Sequence, residues 1–259
     1  MLPFVIIRGN SPVILGQPHG GTFVPDGIAA NLNENGNQLA DTDWHIARLY
    51  EGLIPELTIV RANFHRYVID ANRDPSGVSL YPGQNTTGLV PLTDFDNQPI
   101  WNEVPDEAEI MRRIEAFHRP YHHALEAEIA RVKALHGFAI LYDCHSIRNK
   151  IPFLFDGTLP DLNIGTDNGA TCDNRVESAA FDIAKASSFS HVLNGRFRGG
   201  WTTRHYGNPA QNIHAIQMEI TQSAYLETEG PPFAYSETKA AKLRPFLADI
   251  LKTLAEFKP

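Results

Sequence analysis

The chain has 259 residues, 42% of them hydrophobic, and a formal net charge of −8. That length can bury one large core, and a single domain over residues 1–259 is the expectation. The acidic balance offers no basic footprint for nucleic acid or another polyphosphate, which leaves a small-molecule partner as the reading.

Two cysteines, Cys144 and Cys172, are too few for a disulfide framework and suggest a reducing compartment. The start, MLPFVIIRGN, lacks the pattern of a signal peptide, and no later run is apolar for membrane-spanning length. These features predict a cytoplasmic protein with no membrane partner.

In chain order, PVILGQPHGG reads as a buried strand running into a polar turn, and residues 38 to 53 read as a helix. ELTIVRANF and RYVIDANR follow as further strands, the second turning after Asp70. Residues 74 to 104 are rich in Gly, Pro, Asn and Thr without a period, which predicts a long loop of the kind that carries function. Between 106 and 135, Ile110, Ile114, Phe117, Tyr121, Leu125, Ile129 and Val132 recur at three- and four-residue steps, the pattern of an amphipathic helix. GFAILYDCHS and HAIQMEIT are strands, with helices expected at Asn174–Ala186 and over 236 to 257. Strands alternating with helices of this length predict a mostly parallel sheet covered on both faces.

Of eleven histidines, His19 and His145 each follow an apolar strand and sit among small or turn-forming residues, in PHGG and DCHS. An open α/β sheet presents its ligands at such strand ends. A catalytic zinc takes three protein ligands and keeps a fourth position open, so a carboxylate is needed beside the two imidazoles. Asp41 and Asp43 in LADTDWHIARLY are the candidates, although either could instead cap a helix or favour its dipole.

Glu219 interrupts the apolar run HAIQMEI, where a carboxylate must be paired, metal-bound or shifted in pKa. It could be a buried ion-pair partner, or the general base of a metal-assisted amide hydrolysis. HRYVIDANR supplies Arg66, Asn72 and Arg73, and GRFRGGWTTRHYG supplies Arg196, Arg198 and Arg204. Arginine favours bidentate carboxylate recognition, so two arginine clusters suit a substrate with two carboxylates.

PHGG, ADTDWH, NFHRYVIDANRDPSG, YDCHS, GRFRGGWTTRHYG and HAIQMEI, in this order from about Gln17 to Leu226, resemble the motif series of the N-formylglutamate deformylase family. That family resembles a wider group of zinc exopeptidase-like hydrolases, which implies a three-layer α/β/α sandwich around a mixed, mostly parallel sheet. The resemblance implies a divalent metal, zinc, held by His19, Asp43 and His145. Related enzymes place a glutamate soon after the first histidine, where Thr22 stands here, so the carboxylate must come from the next element, with Asp41 the alternative to Asp43. It further implies Glu219 as general acid/base, Arg66 polarising the scissile carbonyl, and Asn72 with Arg73 gripping a substrate carboxylate. Arg204, with Arg198 behind it, is assigned to the second carboxylate. The implied reaction splits N-formyl-L-glutamate into formate and glutamate at the end of a histidine degradation pathway. Another N-acyl amino acid or a cell-wall peptide is the alternative substrate.

Two rivals fall outside that reading. A cysteine hydrolase using Cys144 is disfavoured because neighbours on a strand point to opposite faces, so Cys144 and His145 cannot easily meet. A non-catalytic dicarboxylate-binding module would keep the arginines without needing Glu219 and both histidines.

Overall fold

The computed structural model describes residues 2–79 and 83–259. A seven-stranded mixed sheet runs in the order β1-β3-β2-β4-β7-β5-β6. Its members are β1 (Phe4–Ile7), β2 (Val13–Gln17), β3 (Thr58–Ala62), β4 (Ala139–Ile147), β5 (Leu162–Gly165), β6 (His191–Leu193) and β7 (Ile213–Thr221). The central strands β3, β2, β4 and β7 are mutually parallel, β1 pairs antiparallel with β3, and β5 pairs antiparallel with β7 but parallel with β6.

Side-chain alternation along the central strands builds two cores. Val13, Leu15, Ile140, Tyr142 and Cys144 face one apolar cluster, and Ile14, Ala139 and Leu141 face the other. The first cluster is closed by α2 (Ile46–Tyr50), α5 (Asn174–Ala186) and α7 (Glu237–Ala255). The second is closed by α4 (Arg119–His136), through Tyr121, Leu125, Ile129 and Val132. Both faces of a parallel sheet must be covered, and the near-continuous apolar runs of β2 and β4 reflect that. This is the expected α/β/α sandwich.

The long helix predicted over 106 to 135 divides into α3 (Glu107–Arg113), a π-helical turn at Ile114–His118, and α4. Pro120 lacks the N–H that a regular turn would use, which accounts for the widened turn just ahead of it. Asp106 caps the start by accepting the Glu109 N–H. The helix Asn174–Ala186 stands as expected, capped by Asp173.

Three expectations need correction. RYVIDANR forms no strand; it folds as successive turns. The helix predicted over 38 to 53 shrinks to α2, because Leu39 and His45 adopt left-handed φ values of 51° and 59° that no right-handed helix accommodates. Asp41 and Asp43 therefore cap nothing and lie in the turns before α2, behind the short α1 (Asp26–Ala29). Strands β1, β5 and β6 were not anticipated; at three or four residues each they carry too little pattern to stand out.

The sheet order turns in opposite directions from β2, with β3 on one side and β4 on the other. Crevices at such switch points, beyond the carboxyl ends of the strands, are where open α/β sheets bind ligands. His19 follows β2, while His145 and Glu219 lie near the ends of β4 and β7 as directly paired residues.

Candidate active site

Three donor atoms converge at this crevice. His19 Nδ1 lies 3.1 Å from His145 Nδ1 and 3.9 Å from Asp43 Oδ2, and His145 Nδ1 lies 3.4 Å from the same oxygen. Ligands about 2.0–2.1 Å from a tetrahedral ion stand about 3.3 Å apart, so this triangle has the right size to hold one. Among the described residues this is the one cluster of three His, Cys, Asp or Glu groups with that capacity.

The far sides of the rings fix the chemistry of the near sides. His19 Nε2 is 2.6 Å from Asp70 Oδ1, and His145 Nε2 is 3.0 Å from Asp143 Oδ2. A carboxylate accepts, so the His19 Nε2 carries the hydrogen and its Nδ1 turns a lone pair toward His145, whose Nε2, between Asp143 and the Asn72 amide, leaves Nδ1 to offer a second lone pair once the ring gives up its proton. Two lone pairs 3.1 Å apart repel unless a cation or proton lies between them. The residues present thus fit a divalent metal, with outer carboxylates orienting both imidazoles.

Burial and Arg66 lower the pKa of His19 to about 4, so its contact with Asp70 joins a neutral imidazole to a carboxylate and is no ion pair. Burial acts the same way on His145, but Asp143 and Asp43 override it and hold that ring protonated well above its usual range. Metal uptake must displace that proton.

Asp43 is pinned at both oxygens. Arg66 Nη2 donates to Oδ1 at 3.1 Å and the Ser146 N–H donates to Oδ2 at 3.0 Å. Burial opposes its ionisation, yet the hydrogen bond to His145 and the Arg66 guanidinium keep the carboxyl below the usual range. Its own N–H donates to the His19 carbonyl, which joins the two ligand segments. That close packing depends on the PHGG turn: a Cβ on Gly21 would come within 2.4 Å of the Asn63 backbone. Asp41 is engaged elsewhere, accepting from the Tyr67 hydroxyl and the Phe95 N–H on Oδ2.

A cavity opens over the triad, lined by Arg66, Asn72, Arg73, Phe95, Arg196 and Glu219 among others. Glu219 is 6% exposed, and burial together with Asp43 and Asp143, against the pull of His145 and Arg66, pushes its carboxyl up to about 7. Arg66 stacks its guanidinium over Phe95 at 5.0 Å, and its buried Nε has no hydrogen-bond partner among the described residues. Asn72 and Arg73 are held from below. His118, on the π-helical turn, donates to the Arg73 carbonyl, and His122, one turn on, donates to the Ala71 carbonyl. Arg73 is fixed further by Thr87 and the Asn72 carbonyl.

The second arginine cluster is arranged differently from the expectation. Arg198 is exposed and bonds the Gly195 carbonyl, while Arg204 pairs with Asp167 at 3.1 Å; neither lines the cavity. Arg196 does line it, tied to the carbonyls of Leu154 and Asn85. His205 stacks on Trp201 and His214 packs against Phe257, both away from the triad. Cys144 points into the opposite core, and burial raises its thiol pKa well above the ordinary value, so it is no nucleophile.

Asp70, Asp143, His118 and His122 went unassigned in the sequence. For Asp143 a signal existed, since it lies two residues before His145 and so shares its face of β4.

Two imidazoles and a carboxylate aimed at one point, beside a buried glutamate at the ends of parallel strands, are the equipment of a metal-dependent hydrolase. The chain belongs to the N-formylglutamate amidohydrolase family, whose model matches residues 11–226. It is 44% identical over 252 residues to the N-formylglutamate deformylases of Pseudomonas putida and Pseudomonas aeruginosa. The match covers 95% of this chain in each case, with 93% and 94% of those relatives. Its fold matches the crystal structure of N-formylglutamate amidohydrolase from Ralstonia eutropha JMP134 with a TM-score of 0.82 and 26% identity, covering 99% of this chain and 98% of that one. The family resemblance read from the motifs therefore holds across the chain, which is a hydrolase.

Proposed function

We propose that this enzyme, as one domain over residues 1–259, hydrolyses N-formyl-L-glutamate to formate and L-glutamate with one divalent metal, zinc. The observation that carries the reading is the triangle of His19 Nδ1, His145 Nδ1 and Asp43 Oδ2 beneath a cavity walled by Glu219 and three arginines. These three residues would hold the ion, which when bound acidifies the attacking water and polarises the formyl carbonyl.

The remaining work falls to side chains. Glu219 takes a proton from the water that attacks the formyl carbon and returns it to the departing nitrogen as the C–N bond breaks. Arg66 donates to the carbonyl oxygen as negative charge grows there. Asn72 and Arg73 bind one substrate carboxylate, which converts binding into orientation of the small formyl group. For the second carboxylate, the cavity lining favours Arg196 over Arg198 and Arg204.

A formate-release assay with paired substrates tests this reading. Arg196→Met is expected to raise KM for N-formylglutamate by about 10- to 100-fold, the loss expected for a hydrogen bond to a charged group. N-formylmethionine, which lacks the second carboxylate, should be hydrolysed with unchanged kcat/KM. Equal losses on both substrates would remove Arg196 from recognition, and faster turnover of N-acetyl than of N-formyl substrates would overturn the proposed reaction. We place the enzyme in the cytoplasm, at the end of histidine degradation. Both cysteines are unpaired, and among the described residues no helix is long and apolar enough to cross a membrane.

A further inference from the structure

Gln217 and Glu219 stand two residues apart on β7, so both side chains leave the same face of the sheet, and both line the cavity. The Gln217 side chain is engaged at each end. The Gly200 N–H donates to its Oε1 at 2.6 Å, and its Nε2 donates to Glu219 Oε2 at 3.0 Å.

The first contact decides the second. A backbone N–H cannot donate to an NH2 group, so Gly200 fixes which end of the amide is oxygen and leaves an N–H facing the glutamate. The terminal torsion of a glutamate is broad, and a free carboxylate samples many orientations. One directed donor on Oε2 removes that freedom.

Gly200 leaves no room for a side chain. A Cβ at this position would fall 2.3 Å from Asn72 Nδ2, and two residues on, the Thr202 N–H donates to Asn72 Oδ1 at 2.8 Å. One turn at the head of α6 (Trp201–Tyr206) therefore grips Asn72 with one amide and Gln217 with another. It sets the spacing between a substrate anchor and the base.

We propose that Gln217 is a positioning residue for the general base: held by the Gly200 N–H, it orients the Glu219 carboxylate and presents Oε1 to the attacking water. This rests on the reading of Glu219 as the base.

The test is a double-substitution cycle on the metal-loaded enzyme. Gln217→Met keeps the length of the side chain and removes the amide. It is expected to lower kcat by about 10- to 100-fold, the scale of a misplacement of about 1 Å, with KM and metal content within about twofold. In a Glu219→Gln background the same substitution should change residual turnover by less than about twofold, because the orienting effect has lost its target. Gln217→Glu, which keeps the acceptor for Gly200 but faces Glu219 with a like charge, should lose at least as much kcat. It serves if the Met variant does not fold.

A full further loss in the Glu219→Gln background would mean that Gln217 acts through packing alone, and an unchanged kcat or a purely KM effect would equally overturn the proposal. Near-normal turnover by Glu219→Gln alone is a separate failure: it would take down the base assignment and this proposal with it.

Discussion

Glu219→Gln is expected to leave the protein folded, metal-loaded and able to bind N-formyl-L-glutamate while turnover falls by about three to four orders of magnitude, the upper range for loss of a general base. Gln occupies the same space and can keep an oxygen toward Gln217 Nε2, so the local hydrogen bond survives. What disappears is the ionisable oxygen. In the metal-free site burial pushes the Glu219 carboxyl up to about 7, and a cation held by the neighbouring triad would favour its ionised form. Wild-type kcat/KM should decline as pH falls through the range in which this carboxyl takes up its proton, and the residual activity of the Gln variant should lack that limb.

The same shift sets a stability signature with opposite sign to the usual buried aspartate. Between its ordinary pKa of 4.5 and about 7, the folded state holds a proton on Glu219 that the unfolded chain has released. Stability is then lost as pH rises through this window, and the Gln variant is exempt. In metal-free protein, Glu219→Gln should have the higher Tm at pH 8, with the difference closing by pH 4.5. A variant that keeps near-normal turnover would exclude Glu219 from the reaction.

The second large effect concerns Asp43. Asp43→Ala should abolish stoichiometric metal binding and formate release together, since Oδ2 is one corner of the donor triangle. It should also destabilise the fold by about 3–5 kcal/mol, the typical result of stranding one member of a buried ion pair, because Arg66 loses its carboxylate at 3.1 Å. Asp43→Asn preserves the packing and separates the two effects. It should remain folded yet bind metal poorly. Asp41→Asn should retain metal, because its Oδ2 is already committed to Tyr67 and Phe95. Metal loss in the Asp41 variant with retention in Asp43→Asn would reverse the choice between the two aspartates.

That choice shows where the sequence stops being legible. The long central strands announce themselves by composition: apolar runs ending in PHGG, DCHS and MEIT locate His19, His145 and Glu219 at neighbouring strand ends. Asp43 is different, because it reaches the triad from a turn shaped by two left-handed residues, and a helical pattern over 38 to 53 hides that turn. RYVIDANR misleads for a related reason. Tyr67, Val68, Ile69 and Ala71 are fully buried and so look like strand residues, yet they are buried as turns clamped under His118 and His122. Local pattern reports burial, and burial is shared by strands and by packed turns.

The arginines show a further limit. GRFRGGWTTRHYG presents Arg196, Arg198 and Arg204 as near equivalents, and only the path of the backbone separates them. Gly199, at φ 112°, bends that path where Arg198 ends exposed and Arg204 turns toward Asp167. The partners of the metal ligands, Asp70 and Asp143, come from segments far apart in the chain, so only the folded sheet assembles two carboxylate–imidazole pairs around one point.

Titration of chelator-stripped enzyme with Zn²⁺, with formate release from N-formyl-L-glutamate followed at each addition, tests the central claim most directly. Activity should be absent at the start, climb in proportion to added metal and break at one equivalent per chain. Full activity in the stripped protein, or restored stoichiometric metal without formate release, would contradict it.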